Sequence, residues 1–180
     1  MKPIGPLMRE HRLIEKMVDV LARKQVQIGE TGKVDVDFLT IAVDFFRTYA
    51  DRTHHGKEED ILFKELAKKQ LAPEHKQTMG ELVEEHAWAR NVVSRLTQAR
   101  GSYIQGNRNS VSEIAYECQE LAAFYPAHIA KEDKHFFYPC LEYFTVEEQN
   151  AILEKFWEFD RMLIHEKYQN ILAEIIKTQA

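Results

Sequence analysis

Apolar residues recur at intervals of three and four along most of this 180-residue chain, a spacing typical of one face of an α-helix. The few glycines and prolines interrupt this pattern mainly where a helix should begin or end, and no Asn-Gly or Asp-Gly hairpin signal occurs. Asp35 or Asp37 is expected to cap the second helix. We therefore predict five helices, over residues 6–28, 36–69, 73–101, 110–142 and 145–178.

Two stretches match the capping box, in which a Ser or Thr and a Glu three residues later bond each other's backbone at a helix start. These stretches are Ser110-x-x-Glu113 and Thr145-x-x-Glu148, and they predict the starts of the fourth and fifth helices. Pro126 falls inside the fourth helix, where we expect a kink.

Four long helices with short connections predict an all-α fold, an up-down-up-down four-helix bundle. The fifth helix is expected to pack across one flank or one end of that bundle. We expect a single domain over residues 1–180, with the core bundle at about 5–142 and the additional C-terminal helix at about 145–178.

Composition limits the possible partners. The chain is 44% hydrophobic and 29% charged, and its net charge of −5 favours neither nucleic acid nor an anionic membrane. No apolar run approaches the roughly 20 residues of a membrane span, and the first residues lack the apolar core of a signal peptide, so we expect a cytoplasmic protein. Cys118 and Cys140 would lie about 33 Å apart along one helix and are predicted to be free thiols.

One sequence motif occurs twice, 74 residues apart. It is a histidine followed at the third, fourth and fifth positions by lysine, glutamate and an acidic residue. The copies are His54-His55-Gly56-Lys57-Glu58-Glu59 and His128-Ile129-Ala130-Lys131-Glu132-Asp133. In each copy the first histidine and the glutamate are four residues apart, which puts them on one helical face. Imidazole with carboxylate, repeated, indicates a transition-metal site.

A second repeat indicates an internal duplication. Glu10-His11 in the first helix corresponds to Glu85-His86 in the third helix, 75 residues later. Each half of the chain would then supply one lone histidine and one His-x-x-x-Glu pair. Folding one half against the other brings four histidines and two glutamates towards the bundle axis.

The helical period indicates which candidates face inward. The two lone histidines and His128 lie on apolar stripes. In the doublet, the face of His54 is largely apolar and the face of His55 is polar. We therefore predict that His54 and Glu58 point inward, whereas His55 and Glu59 lie at the edge of the site.

The other histidines are weaker candidates. His75 follows Pro73 at a helix start and is predicted to be on the surface, and His135 would pack or line an entrance. His165 could add a ligand if the fifth helix folds over the bundle. The candidate metal ligands are therefore His11, His54, Glu58, His86, His128, Glu132 and His165.

The residue types narrow the choice of metal. The candidate ligands include no cysteine, which argues against structural zinc, and they include imidazole, which argues against magnesium or calcium. Mixed histidine and carboxylate ligands suit iron, with manganese and zinc as alternatives. We expect two iron ions in a non-haem di-iron centre, each held by two histidines and bridged by Glu58 and Glu132. Open positions on ferrous ions would bind dioxygen or nitric oxide.

Two other interpretations are weaker. The same residues could neutralise one another as buried ion pairs, although removing charges from water is costly. A ferritin-like bundle uses Glu-x-x-His, the reverse order, and the only such sequence near the site is Glu132-x-x-His135.

A known family has the same pattern. The chain resembles the hemerythrin-like HHE cation-binding domain, over about residues 5–142, at His11, His54-x-x-x-Glu58, His86 and His128-x-x-x-Glu132. The resemblance implies a four-helix bundle around a non-haem di-iron centre. Its members include oxygen carriers, oxygen or iron sensors, and di-iron proteins of nitrosative stress and iron–sulfur repair.

This chain departs from the oxygen carriers in two places. They have a second histidine one turn after the first in the third helix, where Arg90 follows His86, and an aspartate at a longer spacing in the fourth, where this chain has Glu132. The ligand set is more similar to that of the sensor and repair members.

The first functional expectation is a module that binds or senses dioxygen or nitric oxide, with a separate, unidentified protein partner for its output. The alternatives are a di-iron enzyme of nitric oxide or peroxide reduction or of iron–sulfur repair, and a metal-storage or structural site. The sequence leaves open whether the chain is an enzyme.

Overall fold

A computed structural model of the chain describes residues 2–160 and 163–178. In these residues all regular secondary structure is helical, which confirms the predicted all-α class. None of the described helices has the length and hydropathy needed to cross a lipid bilayer. The α-helices are α1 (Ile4–Thr31), α2 (Val36–Phe45), α3 (Phe63–Leu66), α4 (Pro73–Ile104), α5 (Ser110–Lys131), α6 (Phe137–Leu141), α7 (Val146–Phe159) and α8 (Leu163–Lys177).

Four helical rods form the bundle, and neighbouring rods run in opposite directions. The second rod comprises α2, two π-helical segments (Phe46–His55 and Glu58–Leu62) and α3, and the fourth comprises α5, a π-helical segment (Glu132–Phe136) and α6. Lys24 in α1 bonds Asp35 at the start of the second rod, whereas Glu10 near the start of α1 reaches His54 further along it. The same reversal relates α4 and α5, in the pairs Arg95–Glu117 and Glu85–Lys131.

Most helix ends follow signals in the sequence. Asp35 caps α2, Thr145 and Glu148 form the predicted capping box at the start of α7, and Gly32 ends α1 in a left-handed conformation with φ of 64°. The capping box at Ser110 is wrong, because α5 already begins at this residue and its hydroxyl has no hydrogen-bond partner among the described residues.

The π-helical segments coincide with both copies of the repeated sequence motif. A π-helix bonds each amide to the carbonyl five residues earlier, so its turn is wider than that of an α-helix and different residues share a face. The second rod is π-helical across His54 and His55. In the fourth rod, α5 continues through Pro126 to Lys131 and becomes π-helical at Glu132.

Two apolar clusters fill the bundle on either side of a layer of buried polar residues. The larger cluster includes Leu21, Phe46 and Leu96, and the smaller one includes Leu7 and Phe136. The polar layer between them contains charged and polar side chains at 2% exposure or less: Glu10, His11, His54, His55, Lys57, Glu58, His86, His128 and Glu132.

The expectation of one continuous fifth helix is wrong. Helix α7 ends at Phe159, and Asp160 has an extended backbone with φ of −84° and ψ of 92°. Phe156 of α7 packs in the smaller apolar cluster, and Tyr168 of α8 packs in the larger one. At this helix end the carboxylate of Asp160 bonds the buried ammonium of Lys57, and the two helices cover one flank of the bundle.

Candidate metal centre

Five histidines and two glutamates of the polar layer turn metal-binding atoms towards one another, each at 2% exposure or less. Their donor atoms form two groups, and within each group all donor atoms lie within 4.8 Å of one another. The first group is His11, His54, Glu58 and Glu132, and the second is His55, His86 and His128.

The first group has the spacing of ligands around one ion. The Nε2 atoms of His11 and His54 are 2.8 Å apart, and Nε2 of His11 lies 3.1 Å from Oε2 of Glu132. Nε2 of His54 lies 3.5 Å from Oε1 of Glu58. Two donors at right angles, each about 2.1 Å from a common ion, would be about 3 Å apart. The observed separations are therefore close to those of a coordinated cation.

The two glutamates connect the groups. While Oε1 of Glu58 faces His54, its Oε2 lies 3.4 Å from Nε2 of His86 in the second group. Glu132 does the same in the opposite order, with Oε2 facing His11 and Oε1 lying 3.4 Å from Nε2 of His128. Each carboxylate thus presents one oxygen to each group, which is the arrangement of a bridging ligand.

These inward atoms are buried without hydrogen bonds. Among the described residues no partner exists for either oxygen of Glu58 or Glu132, or for Nε2 of His55, His86 and His128. Each unsatisfied buried polar group costs about 1–3 kcal/mol, and a charged group more. Burial, reinforced by the charge of Glu132, raises the pKa of Glu58 well above its ordinary value. Cations between the two groups would satisfy all of these atoms, so the residues present fit a two-metal centre.

The outer nitrogen of each histidine in the layer meets a carboxylate. A carboxylate that accepts from Nδ1–H leaves the Nε2 lone pair free and fixes the plane of the ring, which is how proteins orient metal-binding imidazoles. The pairs are His11–Asp133 at 2.7 Å, His54–Glu10 at 2.8 Å, His55–Asp51 at 3.4 Å, His86–Glu59 at 2.8 Å and His128–Glu85 at 2.7 Å.

Cationic side chains hold these carboxylates in turn. Lys57 bonds Glu10, and Lys131 bonds Glu85 at the equivalent place in the second half of the chain. Arg90, which follows His86 by one turn, bonds both Asp51 and Glu59. The remaining such contact is that of Arg12 with Asp133.

These contacts explain each position of the repeated sequence motif. The histidine supplies an inward nitrogen, and the glutamate four residues later faces both groups. The lysine between them holds the carboxylate that orients that histidine. The acidic residue after the glutamate orients the lone histidine of the neighbouring half: Glu59 contacts His86, and Asp133 contacts His11.

His55 is the residue that sequence reasoning placed wrongly. It was expected at the edge of the site, but it is 1% exposed and its ring stacks on that of His86 with centroids 3.9 Å apart. The expectation assumed an α-helical face, whereas residues 46–55 are π-helical, and the wider turn brings both histidines of the doublet inward. One sequence signal was available, because Asp51 precedes His55 by four residues and is its partner.

The structure does not bring His165 into the layer. Its Nε2 lies 2.8 Å from Oδ2 of Asp160 and its Nδ1 lies 2.9 Å from the hydroxyl of Tyr49, so both nitrogens are engaged elsewhere. Glu10 and Lys57 lie between this ring and His54. His165 therefore stands apart from the other six candidates, in a third group of possible ligands with Glu10 and Asp160 whose donor atoms lie within 4.8 Å of one another, and its role as a ligand stays a prediction. Of the other histidines, His135 is exposed and His75 contacts the hydroxyl of Tyr143.

The paired histidines of the first group have opposite proton affinities in the absence of metal. Burial lowers the pKa of His11, but the nearby carboxylates of Asp133 and Glu132 outweigh it and raise the pKa to about 9. Burial and the nearby charge of His11 lower the pKa of His54 to about 4. A protonated His11 can therefore donate from Nε2 to a neutral His54, and a metal ion would have to displace that proton.

The fold and this layer define a class of protein, a helical bundle with a histidine and carboxylate metal centre in its interior. A family model described as the hemerythrin HHE cation binding domain matches residues 2–140. The chain belongs to this family, which confirms the resemblance noted in the sequence and identifies a cation-binding domain. No curated protein and no solved structure gave a match.

Proposed function

We propose that the polar layer binds two iron ions and that this di-iron centre binds or senses dioxygen or nitric oxide. The observation that supports the proposal is the set of seven inward-facing side chains in two linked groups, with most of their donor atoms buried and unbonded. Such a set is too costly to bury for packing alone.

Donor counting gives the two ions different surroundings. His11 and His54 would hold one ion, and His55, His86 and His128 the other, with both glutamates shared. One ion would then have four protein donors and the other five. The ion beside His11 and His54 retains more room for a small ligand.

Mixed imidazole and carboxylate ligands support iron over the alternatives, manganese and zinc. Iron would supply electrons and open coordination positions to a diatomic ligand. The protein would supply oriented nitrogens, two bridging carboxylates and an enclosure between two apolar clusters. A sensor of this kind would pass its signal to a protein partner.

Iron loading tests the proposal. The metal-free protein would be loaded with ferrous ion under anaerobic conditions, analysed for metal, and then exposed to oxygen or nitric oxide while its visible spectrum is recorded. We expect two irons per chain and a new absorption band at one equivalent of ligand per centre. His128→Ala should lose both results, whereas the exposed His135→Ala should keep them.

Other outcomes separate the alternatives. Consumption of nitric oxide or peroxide beyond two equivalents per centre would instead support a di-iron enzyme. A single zinc per chain, with no spectral response after iron loading, would contradict the proposal and favour a structural or storage site.

A further inference from the structure

Lys57 is a lysine with a fully buried side chain in the polar layer, at 0% exposure. Its ammonium bonds Glu10 and lies 2.7 Å from Oδ2 of Asp160. Glu10 in turn contacts Nδ1 of His54 at 2.8 Å. A chain of three contacts therefore connects the break between α7 and α8 to a candidate metal ligand.

The second half of the chain lacks this enclosure. Lys131, the counterpart of Lys57, has a side chain at 30% exposure and bonds Glu85, with Glu81 at 3.4 Å in the more distant contact. The side chain of Glu85 is 28% exposed, whereas that of Glu10 is 2% exposed. Water can stabilise the Lys131 pair, but the Lys57 pair depends on protein groups for its charge balance.

Helix α7 encloses Lys57 from one side. The ring of Phe156 lies 5.9 Å from the Lys57 ammonium, within the range of a cation–π contact. The ring of Phe159 approaches Gly56, where a Cβ would be only 2.9 Å from Cζ of Phe159. Gly56, in the first copy of the repeated sequence motif, therefore permits the end of α7 to reach Lys57.

His165 of α8 holds Asp160 from the other side. Its Nε2 lies 2.8 Å from Oδ2 of Asp160, and its Nδ1 lies 2.9 Å from the hydroxyl of Tyr49. Tyr49 and His54 belong to the same π-helical segment, five residues apart. The contacts thus form a closed network that begins and ends on the segment carrying His54.

We propose that Asp160 and His165 are positioning residues for His54: by holding Lys57 and Glu10, they set the orientation of this ring. The proposal rests on the proposed function where it names His54 as a metal ligand. Asp160 and His165 both lie beyond residue 140, where the family match ends, so the C-terminal helices α7 and α8 contribute to the centre as well as to the fold. The effect is confined to the half of the centre that holds His11 and His54.

The test compares two matched variants. Asp160→Asn removes the charge that faces Lys57 and keeps the shape, and Glu81→Gln makes the same change beside Lys131. Imidazole ¹H–¹⁵N spectra of the metal-free proteins report the ring environment directly. We expect Asp160→Asn to shift the ring resonances of His54 and leave those of His128 in place, and Glu81→Gln to change neither.

Metal release gives a second measurement. In the cobalt-loaded protein, a chelator should remove one of the two ions at least about 10-fold faster from Asp160→Asn than from the wild type, with the other ion unaffected. His165→Ala should act in the same direction, and Asp160→Glu should restore most of the wild-type rate.

The possible results separate the two proposals. If Asp160→Asn leaves the His54 resonances unchanged, or accelerates release of both ions equally, the positioning role is wrong. Another result is that the wild type binds no pair of ions while the His54 resonances of the metal-free Asp160→Asn variant still differ from those of the metal-free wild type. In that case the proposed function fails and the positioning of the ring stands.

Discussion

His54 and His55 are adjacent in the chain, yet both are 1% exposed and their Nε2 atoms belong to different groups of donors. In an α-helix, neighbouring residues are about 100° apart and do not share a face. The π-helical turn around them relaxes this restriction and gives the centre five inward histidines. Arg90 stands where the oxygen carriers have a second histidine in the third helix, so here the fifth imidazole comes from the second rod.

Removal of His55 tests the unequal division of ligands. His55→Ala should weaken binding of one of the two ions by more than about 100-fold, because the group of three imidazoles loses a member, and leave the other ion in place. Metal titration followed by elemental analysis measures this change. The exposed His135→Ala is the control, and equal metal binding by both variants would refute the assignment of His55.

The bridging role of Glu58 predicts opposite effects on the metal-free and metal-bound states. Burial and the nearby Glu132 raise the pKa of Glu58, so the neutral amide in Glu58→Gln resembles the protonated side chain. We expect the free energy of unfolding of the metal-free variant to lie within about 1 kcal/mol of that of the wild type. The increase in thermal stability on metal loading should be largely lost. Calorimetry with and without metal checks both statements, and a full increase would contradict the bridge.

The stability of the metal-free protein should decrease at alkaline pH. Although burial lowers the pKa of His11, Asp133 and Glu132 raise it to about 9 from an ordinary value of 6.5. Because the pKa of His11 is higher in the folded protein, its protonation stabilises the fold fully below pH 6.5. This contribution to the free energy of unfolding disappears as the pH rises through 9. His11 alone would contribute a loss of up to about 3 kcal/mol.

Metal should remove most of that dependence, because metal ligands are deprotonated and His11 then carries no proton in the folded protein. The extra unfolding free energy given by metal is therefore expected to increase between pH 6.5 and 9. Urea unfolding at several pH values, with and without metal, measures both slopes. A metal-free protein whose stability does not decrease between pH 6.5 and 9 would show that His11 is not protonated there.

The two equivalent lysines should differ in their effect on stability. Lys57→Met leaves the buried Glu10 and the partly buried Asp160 without their cation, and loss of one partner from a buried charge pair costs about 3–5 kcal/mol. Lys131→Met disturbs a partly exposed pair and should cost less than about 1 kcal/mol. Chemical denaturation of both variants gives the comparison, and similar costs would mean that Lys57 is not enclosed by α7 and α8.

Much of the fold could be predicted because its signals are local. Apolar spacing identified the four bundle helices, and Asp35 and Thr145 marked helix starts through contacts within one turn. Six buried side chains of the polar layer were also identified as candidates. Four of them form two His-x-x-x-Glu pairs, which share a helical face wherever the helix packs, and the other two, His11 and His86, stand at equivalent positions of the second repeat.

Other features depended on contacts between distant parts of the chain. The inward turn of His55 required a π-helical segment, and the carboxylate at the helix break, Asp160, meets a buried ammonium 103 residues away in the sequence. His165 shares its helical region with apolar residues, but only the packing of α8 shows that its ring meets Asp160 and Tyr49.

The sequence by itself therefore determined the four bundle helices and the chemical types of the candidate ligands, because these follow from spacing along one helix, and its repeats indicated the duplication. The tertiary structure decided which nitrogen of each histidine faces inward, which carboxylate orients it, and that the C-terminal helices reach His54 through Lys57 and Glu10. The physical reason is that an imidazole is oriented by its partner across the bundle, and that partner is brought near only when the rods pack together.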